Sequence, residues 1–212
     1  MSSEESPDLS TAIKLLANAI IGALIGCFIA AAYLVTTPVM EVTFLPDQIE
    51  PAMHYVLKGR TAGGDSWKYK ATELQGGKSE VTFLETDMNR WASSFSTDYP
   101  EEKPSIYLEP QRPIFRLEGD KLLISAAAET GFGAWHKLVI LSLEGDFVPD
   151  AGALQVEPDK FYIGSLRLPG PVKDFVWKRI SRAYILDDEF QSLWSSIESA
   201  NIHESQLILT AK

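Results

Sequence analysis

From Leu15 to Val35 the chain is apolar at every position except Asn18. At 1.5 Å per residue that run makes roughly 31 Å of helix, the thickness of a bilayer's hydrocarbon core. A helix packed on a soluble core carries a polar stripe with a period of 3.6, and this run has none. The pattern therefore predicts a single transmembrane helix over 15–35. A short acidic head precedes it over 1–14, and the rest of the chain, 36–212, follows it.

Downstream the periodicity changes several times. Thr36, Thr37 and Pro38 close the span, and "VMEVTF" reads as a short extended segment. Pro46 and Asp47 open a helix expected to reach about Lys58, and the glycines of Gly59–Ser66 make a loop. "WKYKATEL" fits helix or strand, and "QGGK" is a turn. At Val81–Phe83 apolar residues alternate as in a strand. Leu84, Met88, Trp91, Ala92 and Phe95 then fall on one helical face. Glu85 and Asp87 suit the positive end of that helix.

Beyond Pro113 the texture is that of strands divided by turns. A hairpin is expected about Gly119–Asp120, then two or three longer strands with breaks at Pro149–Gly152 and at Pro158. Pro169–Pro171 stop the sheet. A helix over Val172–Tyr184 places Val172, Phe175, Val176, Ile180 and Tyr184 on its apolar face. A further helix, Asp187–Ala200, is expected to bury Phe190, Leu193, Trp194 and Ile197, and "SQLILTA" reads as a last strand. Strands joined by short turns pair antiparallel. The expected fold is α+β: an N-terminal transmembrane helix, then an antiparallel β-meander packed with amphipathic helices. Met88, Trp91 and Phe95 are expected against its inner face, with Leu123, Val139, Leu141, Phe161 and Leu166.

The charge pattern bears on location. A signal peptide has a basic start, a shorter apolar core and a small-residue cleavage site. Here the head is acidic through Glu4, Glu5 and Asp8, and apolar residues continue past Ala30–Ala32. Lys14 precedes the span and the next basic residue is Lys58, so the positive-inside rule puts the N-terminus in the cytoplasm. That reading makes the chain a single-pass protein of the cell inner membrane with residues 36–212 outside the cytoplasm. The sole cysteine, Cys27, lies within the span, so disulfides do not staple the exported part. A net charge of −10 repels phosphate backbones and argues against nucleic acid as a partner.

Two stretches resemble known patterns. "LIGC", Leu24–Cys27, resembles the lipobox of bacterial lipoproteins, in which the cysteine closes the apolar run. Here Phe28–Ala32 extend the run, which favours a thiol acting as a small hydrophobe. Leu84, Glu85, Met88 and Asn89 resemble the helix start of the YpmS-like family of membrane-anchored bacterial exported proteins. "FRLEGDKLLISA", "LEGDFVPDAGALQV" and "IGSLRLPG" resemble its later texture of hairpin, acidic-glycine turn and strand end. The resemblance runs from about Val81 to the C-terminus. It implies an exported domain with no assigned catalytic residues and a layout suited to lipid or other apolar ligands. This chain departs from the pattern at Glu85–Asp87 and in its long 37–80 lead-in.

Candidate chemistry is sparse. "GGDSW" places Ser66 in a Gly-Asp-Ser setting found at some hydrolase nucleophiles, but it follows no legible strand and equally caps a helix. His54, His136 and His203 have no second ligand at a metal-site spacing, so neither a metal nor a cofactor is expected. "GFGAWH" has Gly-x-Gly without the strand and helix of a dinucleotide site and reads as a hairpin connection. On the Val172–Tyr184 helix, Lys173, Lys178, Arg179 and Arg182 form a basic face, read either as a membrane-surface patch or as a solvated face. Phe175, Trp177 and Tyr184 are the candidate ligand-binding side chains. The expected function is a non-enzymatic envelope protein whose exported domain binds a membrane lipid or other apolar ligand, or docks onto an envelope protein. The alternative is an envelope hydrolase using Ser66 or a histidine.

Overall fold

The computed structural model describes residues 9–37, 39–43, 55–57, 64–97, 104, 106–133, 135–150, 153–182, 184–185 and 196–212. Helix α1, Leu9–Thr36, is followed by strands β1, Met40–Val42, and β2, Tyr55–Leu57. Next come α2, Ser66–Gln75, β3, Glu80–Phe83, α3, Glu85–Ala92, and β4, Ser96–Thr97. The meander consists of β5, Ile106–Pro110, β6, Ile114–Glu118, β7, Lys121–Phe132, β8, Trp135–Asp150, β9, Ala153–Ile163, and β10, Leu166–Arg167. Helix α4, Gly170–Ser181, and strands β11, Tyr184–Ile185, β12, Ile197–His203, and β13, Gln206–Ala211, complete the chain. The fold is α+β, with one long apolar N-terminal helix and sheets that are antiparallel except for the parallel pair β1–β2.

Ile13–Thr36 of α1 is long and apolar enough to cross a membrane. Its side chains lie outside the protein core, Phe28 being 75% exposed, except Val35, which packs against it. Among the described residues, the last turn is where its hydrogen bonds to the rest of the chain lie. Ser165 N–H donates to the Leu34 carbonyl at 3.0 Å, and Lys137 Nζ to that of Thr36 at 2.7 Å. These bonds satisfy carbonyls that a helix end otherwise leaves open. Gly164 sits at φ +59°, where a Cβ would come within 2.4 Å of the Val35 carbonyl oxygen, so the approach requires glycine.

The main sheet runs β10-β9-β8-β7-β5, with β6 also on β7. The two halves of β7 thus hold β6 and β5 end to end on one edge. Alternation sets the inner face: Leu122, Ile124, Ala126 and Ala128 of β7, then Val139, Leu141 and Leu143 of β8, are buried. Leu123, expected inside, points to the other face because its neighbours Leu122 and Ile124 take the inward positions. Pro158 does not break β9. It pairs opposite Gly145 at a bulge, where a Cβ on Gly145 would meet the Glu157 carbonyl oxygen at 2.2 Å.

A second sheet, β12-β13-β3, packs with α2 and α3 on that inner face. One core joins Trp67 and Leu74 of α2, Met88 and Trp91 of α3, and Leu207 and Leu209 of β13 to the meander. Helix α3 also closes the open edge of β6. Asn89 donates to the Phe115 carbonyl and accepts from the Phe115 N–H, both at 2.8 Å. Glu85, one turn earlier, accepts from Leu117 N–H at 3.3 Å and from Arg116 at 3.1 Å. Four residues of helix rise about 6 Å and two of strand nearly 7 Å, so an i,i+4 pair can serve alternate edge groups.

Three expected elements differ from the structure. Tyr55–Leu57, expected to end a helix, is strand β2. Ile197–Ala200, expected to end the last helix, opens strand β12, because Ile197 and Ile202 turn to the core while their backbone pairs with β13. Tyr184 is not helical: α4 ends at Ser181, and Tyr184 pairs with Thr97 in β11–β4. Apart from Ser196, which is a turn, the other residues of the two expected helices, His54, Phe190, Leu193 and Trp194 among them, lie outside the described residues.

Candidate functional site

Helix α4 lies along β9 with a different face inward from the one its apolar residues suggest. Pro171 at its start and the bond from Lys173 N–H to the Pro169 carbonyl, 2.8 Å, set its first turn. Ile180 is buried and Val176 and Trp177 pack against the core, whereas Val172 is 46% and Phe175 71% exposed. Residues 173, 176, 177 and 180 follow the i, i+3, i+4, i+7 spacing of one face. Trp177 Nε1 donates to the Val156 carbonyl at 2.7 Å, and Lys173 Nζ hydrogen-bonds the Pro158 carbonyl. Those two bonds to β9 fix the rotation of the helix and turn Val172 and Phe175 outward.

Between α4 and the inner face of the meander is a pocket of about 710 Å³. Leu141, Leu143 and Phe147 of β8 and Phe161 of β9 form its floor, with Ile124 and Ala126 of β7 beside them. Trp91, Phe95 and Phe115 close one side as an aromatic cluster, with Trp91 and Phe115 stacked at 5.6 Å and Phe95 edge-on to Trp91 at 4.5 Å. Trp177 forms the facing wall, 6.3 Å from the Phe161 ring. Lys178, Ser181 and Arg182 line the same wall at the C-terminal end of α4. A mostly apolar pocket of this size with few polar groups is the usual form of a small-molecule site.

The expected site residues divide accordingly. Trp177, Lys178 and Arg182 meet at this pocket. Phe175 and Arg179 do not line it. Tyr184 contributes backbone pairing to β11. Lys173 is occupied by the Pro158 carbonyl and by Asp174 at 3.5 Å, so the basic face expected of this helix divides into separate environments. The sequence reading missed Phe147, Pro110 and Pro113 as lining residues. The alternation around Phe147 was readable, but which strand faces meet α4 depends on long-range register.

Ser66, the first residue of α2, lies in a different polar cluster. Its hydroxyl donates to Asp87 Oδ1 at 2.8 Å and accepts from Arg90 at 2.6 Å. Asp87 Oδ2 takes Lys70 Nζ at 2.5 Å and the Leu84 N–H at 3.1 Å. Burial works to raise the pKa of Asp87, but the hydrogen bonds from Lys70, Ser66 and Leu84 N–H, with the Lys70 charge, outweigh it and hold the carboxyl below its ordinary value. His136 Nδ1 is 2.7 Å from the Tyr107 hydroxyl, which also donates to Glu129 at 3.0 Å. His203 is largely exposed beside Asp120 at 3.4 Å. Among the described residues no three His, Cys, Asp or Glu side chains gather to hold a metal.

Comparison of the chain with protein-family models, curated proteins and solved structures finds no match.

Proposed function

We propose that the protein is a non-enzymatic, single-pass anchored protein of the cell inner membrane whose extracytoplasmic domain holds a lipid or other apolar ligand. The observation that carries the reading is the aromatic-walled pocket between the meander and α4. The length and apolar surface of α1 support the anchor, and Lys14 before it supports a cytoplasmic N-terminus. For the hydrolase alternative, Ser66 needs a base. Its partners are Asp87, a carboxylate already held by Lys70 and the Leu84 N–H, and Arg90, which donates to it, so among the described residues no histidine base stands at its hydroxyl.

Two measurements test this. Reporter fusions after Lys58 and after Lys212 should both report the exported side, and a cytoplasmic signal from either overturns the topology. Lipid extracted from the purified full chain should contain a species that is lost in Ala126→Trp, which fills the pocket from its floor. A Trp177→Ala chain, opened on the opposite wall, should keep that species but exchange it faster. Identical extracts from the wild type and Ala126→Trp, with both folded by circular dichroism, would remove the pocket from the function.

A further inference from the structure

We infer that the pocket takes a single-chain anionic amphiphile, one acyl chain bearing a carboxylate or phosphate head, with the head at Lys178 and Arg182. The inference rests on the apolar-ligand reading above and adds the charge and the number of chains. Among the described residues, the charged side chains on the lining are both cations, Lys178 and Arg182, in a chain whose net charge is −10. Their i,i+4 spacing brings them to one side of α4. The salt bridges formed among the described residues include neither of them, whereas Lys173 on the same helix has Asp174. A cation at a helix C-terminus is favourable in itself. Arg179 satisfies that preference without lining the pocket, so the dipole does not account for two cations beside an aromatic wall.

Size sets the number of chains. A water molecule takes about 30 Å³, close to the share of a methylene, so 710 Å³ accommodates roughly 24 such units. That suffices for one membrane acyl chain and its head, and is short of two chains. Length agrees: Leu141 to Phe147 along β8 spans about 20 Å. One leaflet of a bilayer, half of a hydrocarbon core of about 30 Å, is near 15 Å.

The test uses the full chain in nanodiscs of phosphatidylcholine and three photoreactive diazirine probes of one chain length: a fatty acid, a 1-acylglycerol 3-phosphate and a fatty alcohol. Peptide mapping after photolysis separates label in the pocket from label on α1, which reports partition into the bilayer. The two acids should label the β7–β8 pocket peptides at least tenfold more than the alcohol, relative to α1. Their ratio to each other distinguishes a carboxylate from a phosphate head. Lys178→Glu with Arg182→Glu should abolish the preference, Lys178→Gln with Arg182→Gln should reduce it, and Arg179→Glu should leave it intact. Equal pocket labelling by alcohol and acids, or a preference that survives both double changes, overturns the anionic assignment while leaving the pocket reading standing. Label on α1 alone from all three probes overturns both.

Discussion

Asp87 ties α2 to the start of α3 through one carboxylate: it holds Ser66 and Lys70 of α2 and the Leu84 N–H at the cap of its own helix. Asn can keep some of these bonds but not the charge that holds Lys70. Asp87→Asn should therefore cost about 2–3 kcal/mol, the scale of hydrogen bonds to charged groups, measured by denaturant unfolding of the full chain in micelles. The pH dependence follows from the lowered pKa. A carboxyl whose folded pKa lies below its unfolded value stabilises the fold fully above that value, and the contribution fades as pH falls toward the folded pKa. Wild-type stability should drop below about pH 4 with a component that Asp87→Asn lacks. Parallel acid profiles for the two chains would place the carboxyl outside the fold's energetics.

Helices and strands were legible where local pattern and tertiary partner agreed. The turn at Gly119, the passage from β3 into α3, and the inward Met88 and Trp91 needed only alternation and the 3.6 period. α4 was legible as a helix but not in its rotation, because two hydrogen bonds to β9 outweigh the exposure of Val172 and Phe175. The floor of the pocket was hidden in the register of β8 on β9, which shifts at Gly145. Asn89 shows the same limit. Its polar side chain mid-helix gives no sign that it completes the ladder of β6. Asn89→Ala leaves the Phe115 N–H and carbonyl unpaired in a buried setting, at about 1–3 kcal/mol for each such group. Hydrogen exchange at Phe115 should rise with the loss of stability. Unchanged protection there would show that α3 does not close this edge.

Across the whole molecule, the joint between α1 and the meander is short, made by bonds from Ser165 and Lys137 to the last turn and by the close approach at Gly164. Gly164→Ala places a Cβ against the Val35 carbonyl at a φ that favours glycine, at a cost of about 1–2 kcal/mol for the backbone conformation alone. The joint should loosen while the meander stays folded. The expected readout is faster exchange at the Ser165 amide and earlier protease cutting after Thr36, with the thermal transition of the domain little changed. An unaltered Ser165 amide would show that the bond to Leu34 does not depend on the close approach.

In the proposed membrane-anchored protein, the apolar run Leu15–Val35 would span about 31 Å against a hydrocarbon layer of about 30 Å, with the joint at its outer end. With Ser165 and Lys137 holding the last turn, the direction of that helix would set which way the sheet, and the pocket at α4 with it, faces the bilayer.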